Sequence, residues 1–323
     1  MVLKIRAVVI VLLVALAAGC SVPGGRGGGG DGGDAPANFA FVGLQGSTRH
    51  IYLMNVDASG IGSNSTRLTA DTGSEYDVFW SPDGKRFVYA RDFNGAAIYV
   101  INADGTGEQR LSPTPGFDTT PAWSPDGTKI VYVRLLQPPQ PNAPPPMTDI
   151  RIMNADGTGD RTILANTSFS VEPQWSVNNR IVFMSLMNGS KLDIYTMNTD
   201  GTGLLRLTDN GANNAEPAWS PDGAKMSFGS DREGGDNVNI YTMDADGGNV
   251  VQLTHFDFPE QASDTNWSSD GKKIAFEYDL GGQKQDLPTA HAEVWTMNAD
   301  GSGEHTTMVQ CSDSGCNPRW QPK

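Results

Sequence analysis

Cysteine and histidine are scarce in this chain, with three Cys and four His in 323 residues. That leaves little material for a thiol enzyme or a multi-metal centre. Basic residues are also short, 23 Lys and Arg against 37 Asp and Glu, for a formal charge of −14. Nucleic-acid affinity rests on Lys and Arg neutralising phosphates, so this balance argues against a nucleic-acid partner and favours a basic partner or a cation. No Gly-x-Ser-x-Gly elbow occurs, so the nucleophile constellation of a hydrolase is not visible. Helical periodicity is missing after Ala18. Glycine is plentiful instead, at 38 residues, and marks a chain that turns often.

The N-terminus reads as a targeting segment. Lys4 and Arg6 precede an unbroken apolar run from Ala7 to Ala18, too short to span a bilayer but suited to a secretory signal. Leu16-Ala17-Ala18-Gly19-Cys20 resembles a bacterial lipobox. The resemblance implies a signal peptide over 1–19, cleavage before Cys20, and lipidation of its thiol. Loss of Lys4 and Arg6 would take the charge from −14 to −16. Ser21–Ala37 is Gly-rich and nearly free of apolar side chains, so residues 20–37 form a lipidated tether. A tether of that length has an r.m.s. reach of about 20–25 Å. Cys311 and Cys316 then remain as an even pair in an exported protein, and a disulfide between them is the expected state.

Internal repetition dominates the rest, over 38–323. Trp80, Trp123, Trp175, Trp219, Trp267 and Trp320 recur at intervals of 43 to 53 residues. A turn follows four of them: Ser81-Pro82-Asp83-Gly84, Ser124-Pro125-Asp126-Gly127, Ser220-Pro221-Asp222-Gly223 and Ser268-Ser269-Asp270-Gly271. Trp175 departs from this, with Ser176-Val177-Asn178-Asn179. Each turn leads to an apolar strand, then to a strand such as Ile194-Tyr195-Thr196-Met197-Asn198, an Ala-Asp-Gly-type turn, and a last short strand. Four-stranded units of this kind cannot bury both faces alone and must stack. The expected fold is all-β, a six-bladed β-propeller. The chain opens on a second strand at Phe39–Val42 and finishes on a Trp strand at Trp320, so the C-terminal strand should complete the N-terminal blade.

The Trp-Ser-Pro-Asp-Gly…Ile-Tyr-x-Met-Asn-Ala-Asp-Gly repeat resembles the TolB-like propeller family over about Asn38 to Pro322. That resemblance implies the six-bladed fold and little about activity, since one fold hosts many functions. The chain departs from the family's type member in the lipobox and in having no α/β domain ahead of the propeller, so the type member's role is not carried over.

Strand order separates two faces. The Trp strand runs from top to bottom, which places the Asp-Gly turns at the bottom and the irregular loops, including the Pro-rich Leu135–Thr148, on top. Three positions before each Trp stand Asp77, Thr120, Glu172, Glu216, Asp264 and Asn317, at the start of the innermost strands. They would ring the channel mouth and bind a divalent cation, a Lys- or Arg-bearing peptide or a sugar; alternatively, each caps its own strand or pairs with a neighbouring blade. His50, His255 and His291 fall on top, on loops where convergence on one metal is difficult.

The functional expectation is a non-enzymatic, membrane-tethered binding or scaffold protein of the cell envelope, taking a protein, glycan or cation at its top face. It would sit in the outer membrane or periplasm of a Gram-negative cell, or on the outer face of the plasma membrane otherwise. A closed propeller has no sheet edge demanding a mate, so a monomer is expected. The enzymatic alternative is a metal-assisted polysaccharide lyase or another carbohydrate-active propeller enzyme. In cells, Cys20→Ser is expected to abolish labelling by radioactive palmitate and to move the protein from the membrane to the soluble fraction.

Overall fold

The computed structural model describes residues 38–322 except 46–47, 57–61, 70–72, 93–94, 114–115, 141–142, 235–236, 280–291, 304–308 and 312–315. Cys20, the signal segment and the tether lie outside the described residues. The described chain forms 24 strands. Blade 1 holds β1 (Phe39–Gln45), β2 (Thr48–Val56) and β3 (Gly62–Arg67). Blade 2 is β4 (Ser74–Trp80), β5 (Arg86–Asp92), β6 (Ala96–Asn102) and β7 (Gln109–Arg110); blade 3 is β8 (Asp118–Trp123), β9 (Lys129–Leu135), β10 (Met147–Asn154) and β11 (Arg161–Ser168). Blade 4 is β12 (Val171–Trp175), β13 (Arg180–Ser185), β14 (Asp193–Asn198) and β15 (Leu205–Arg206). Blade 5 is β16 (Asn214–Trp219), β17 (Lys225–Ser230), β18 (Asn239–Asp244) and β19 (Val251–Gln252). Blade 6 is β20 (Gln261–Trp267), β21 (Lys273–Asp279), β22 (Ala292–Asn298) and β23 (Val309–Cys311), and β24 (Arg319–Trp320) returns to blade 1. The result is six four-stranded antiparallel sheets, with blade 1 in the order β24-β1-β2-β3.

The tight turns explain themselves. In the first Ser-Pro-Asp-Gly turn, the Ser81 hydroxyl donates to Asp83 Oδ1 at 2.5 Å and accepts the Arg86 N–H at 2.9 Å, while Gly84 N–H closes on Ser81 O at 2.8 Å. Blade 4 keeps the geometry without Gly. Asn179 takes the left-handed conformation, φ 55°, and its N–H bonds Ser176 O at 3.1 Å. Asn tolerates that conformation better than most side chains.

The core lies between blades. Each of the six apolar clusters joins two neighbouring blades: Met226, Phe228 and Met243 of blade 5, for instance, pack with Val182 and Ile194 of blade 4. The repeated Met54, Met153, Met197, Met243 and Met297 are all buried there. Closure uses the same materials. Phe39 pairs with Trp320 and Ala40 with Arg319, the Phe39 and Trp320 rings meet edge-on at 5.2 Å, and Val42 N–H reaches Cys316 O at 2.8 Å. Cys316 is buried and disulfide-bonded. Cys311 ends β23, but its side chain lies outside the described residues, so its pairing with Cys316 stays an expectation.

The glycine of each Ala-Asp-Gly turn marks where one blade touches the next. A Cβ on Gly201 (φ +89°) would meet Ile163 O of blade 3 at 2.0 Å, whereas Gly211 (φ +73°) has nothing within 4 Å. Both Gly→Ala changes meet the left-handed penalty of about 1–2 kcal/mol. Gly201→Ala adds a blade–blade clash, so its thermal midpoint should fall well below that of Gly211→Ala, by about 2–4 °C for each further kcal/mol.

Candidate functional site

The six residues three positions before each Trp share one backbone feature. Asp77, Thr120, Glu172, Glu216, Asp264 and Asn317 all have positive φ, between 43° and 55°. Non-glycine residues take this conformation at a cost of about 1 kcal/mol or more. The register of the innermost strands slips at each of these points in blades 2 to 6, as between Tyr76 and Phe79. Five of them therefore sit at β-bulges inside the strands rather than at the strand starts where the sequence pattern puts them, while Asn317 precedes β24. A bulge re-aims a side chain, and here the six line a shared cavity of about 70 Å3 with walls from every blade.

The six residues hand hydrogen bonds around the ring. Asp77 N–H donates to Asn317 Oδ1 at 3.2 Å. Thr120 N–H donates to Asp77 Oδ2 at 3.1 Å, and Glu172 N–H to Thr120 Oγ1 at 3.4 Å. Asp264 N–H donates to Glu216 Oε2 at 2.5 Å, and the Asn317 amide to Asp264 Oδ2 at 2.6 Å. One link is different: Glu216 N–H faces Met184 Sδ at 3.5 Å, a weak acceptor. The structure thus joins two expectations kept apart above, because these residues both line the channel and pair with the neighbouring blade.

Five acids line the cavity, and the four of the ring repel one another. Burial pushes the Asp77 carboxyl up, partly opposed by bonds from Thr119 and Thr120. Glu172 is held well above the usual range by burial and then by the charges of Glu216, Asp264 and Asp77. Glu216 is pushed up to about 7 by burial and by Asp264. The compensating cation among the lining residues is Arg319, which the sequence pattern missed. Its side chain is 7% exposed, its Nη1 bonds Asp264 Oδ1 at 3.1 Å and Pro318 O at 2.8 Å, and its guanidinium lies 4.2 Å from the Phe79 ring centre. A signal was there to find. The residue before each Trp is Phe79, Ala122, Gln174, Ala218, Asn266 and Arg319, and Arg319 alone is charged.

A divalent cation finds no ready donor set. Among the described residues no group of three or more His, Cys, Asp or Glu is placed to hold a metal. His50 is not on a loop but inside β2, where its Nδ1 lies 3.1 Å from Glu75 Oε2; burial, then Arg67 and Arg91, lower its pKa to about 4. His291 lies outside the described residues. The acids of the bottom turns are also occupied, as where Asp104 Oδ1 accepts the Thr106 N–H and hydroxyl at 2.9 and 2.7 Å.

Comparison with known proteins agrees with this architecture. Residues 147–323, more than half of the chain, match the family model PD40, described as the TolB beta propeller domain. No significant relative was found among curated proteins. Among solved structures, the putative TolB from Agrobacterium tumefaciens is similar at a TM-score of 0.68 and 20% identity, over 89% of this chain and 95% of that one. TolB from Acinetobacter baumannii is similar at 0.67 and 19%, over 89% and 67%. An oligogalacturonate lyase in complex with manganese is similar at 0.56 and 18%, over 80% and 70%. At these identities the likeness is one of fold.

The raised carboxyls have a consequence for stability. A group whose folded pKa lies above its unfolded value binds more protons when folded, so it favours folding at low pH and ceases to do so as pH rises through the folded value. For Glu216 the window runs from its ordinary 4.5 to about 7. The thermal midpoint should fall between these limits as pH rises. Glu216→Gln should flatten that fall and stabilise the protein at pH 8, by on the order of 1–3 kcal/mol.

Proposed function

Because the chain belongs to the TolB β-propeller family, whose fold by itself assigns no chemistry, we propose from the site that it is a non-enzymatic binding module of the cell envelope, tethered by lipid on Cys20. It takes a basic segment of a protein partner at the mouth of the channel. The observation that supports this reading most is the ring itself, whose four carboxyl groups share a cavity with Glu277 and a single guanidinium among the lining residues. Negative charge gathered in a low-dielectric concavity draws cationic groups and discriminates against anionic ones. The left-handed backbone that builds the ring is costly in every blade, and a channel with only a packing role would not need acidic side chains at four of these positions. The bottom face offers less, since its turn carboxylates are spent on local hydrogen bonds.

A photo-crosslinking amino acid placed in the full-length protein in living cells tests the proposal. Placed at Thr120 it should give a discrete protein adduct, and placed at Asp126 on the bottom it should not. Asp77→Asn with Asp264→Asn should weaken the first adduct severalfold. Equal adducts from both positions, or none from Thr120, would overturn the proposal.

A further inference from the structure

The broken link in the ring singles out one corner of the cavity. Every other residue of the ring exchanges a hydrogen bond with the next blade through its side chain, but the Glu172 carboxyl reaches no hydrogen-bond partner among the described residues, and Glu216 N–H meets only Met184 Sδ. An acid with unused acceptors and the weakest link therefore lie side by side. Arg319 belongs to blade 1, half a turn around the ring from blade 4, and its ion pair is with Asp264. The wall on the Glu172 side is apolar, being formed by the buried Phe169, Val171 and Pro173.

We infer that the corner between Glu172 and Glu216 receives an alkylammonium group, such as the end of a lysine side chain presented by the partner. The inference rests on the channel-mouth reading above and narrows it. An ammonium brings three donors to carboxylates that have acceptors to spare, and its methylenes cover the apolar wall. A calcium ion would need six to eight oxygens, which this corner does not gather. A guanidinium needs a coplanar pair of acceptors for its fork. The space of about 70 Å3 suits an ammonium with a short stem.

Seating the ammonium should expel a proton. The groups facing the corner are Glu216 on β16, Asp264 on β20, Asp77 on β4, Glu277 on β21 and Arg319 on β24, with the neutral Thr120 on β8. Burial, then Glu216, Asp264 and Asp77, hold the Glu172 carboxyl well above the usual range, and Glu216 is raised to about 7. A bound cation favours the ionised forms. Affinity should therefore rise with pH up to about 7, by as much as about tenfold per unit for one proton.

Isothermal titration of the full-length protein with n-butylammonium, at pH 6, 7 and 8 in two buffers of different ionisation enthalpy, tests this directly. N-propylguanidinium and Ca2+ serve as comparators. The expected result is saturable binding of n-butylammonium tighter than either comparator, with proton release at pH 6–7. Glu172→Gln should weaken it tenfold or more and reduce the proton release, with the thermal midpoint showing that the variant is folded. Absence of binding, tighter binding of Ca2+ or of the guanidinium, or an unaffected Glu172→Gln variant would overturn the inference. The crosslink from Thr120 keeps the two failures apart: an adduct that survives in Glu172→Gln leaves the envelope-scaffold reading standing without the ammonium site.

Discussion

A blade of this protein has two apolar faces and cannot cover either by itself. Everything else follows from that constraint. The middle strands are buried along nearly their whole length, as in β5 and β17, and their faces are covered by the next blade. Six such interfaces are satisfied together when the ring is closed, and one is left bare when it is not. This is why β24, only two residues long, matters out of proportion to its hydrogen bonds: it brings Trp320 against Phe39 and seats Asn317 and Arg319 in the ring. The close approach of each Ala-Asp-Gly glycine to the preceding blade has the same origin.

The repeat was readable because each of its parts has a local cause. Trp spacing, Pro-Asp-Gly turns and the alternation of short apolar strands depend on neighbours a few residues away, so they survive in one dimension. Asn179 shows how far this extends, since an Asn-rich departure from the motif still yields the turn. Blade closure was likewise readable, from a first strand without a Trp partner and a last Trp without a successor.

The channel mouth was only half readable. Its six polar residues stood out by position, but nothing in a sequence marks Glu172 or Glu216 as left-handed, a conformation signalled by type mainly by Gly and less strongly by Asn and Asp. The bulges therefore went unseen, and the residues were put at strand starts. Arg319 was passed over for a different reason. It occupies the position before Trp, where the other blades carry neutral residues, and its role depends on the curvature that brings Asp264 and Phe79 to either side of it. The raised pKa values depend on that same convergence of four blades and have no one-dimensional trace at all.

The closing strand also ties the site to the order in which the chain is made. Asn317 and Arg319 come after every other residue of the ring in sequence, so synthesis delivers them last. Until they arrive, the Asp77 N–H has no acceptor from blade 1 and Asp264 has no guanidinium. A prematurely ended chain could stack its middle blades, yet its carboxylates would face one another across an open gap. Closure of the ring and completion of its polar mouth are thus one event.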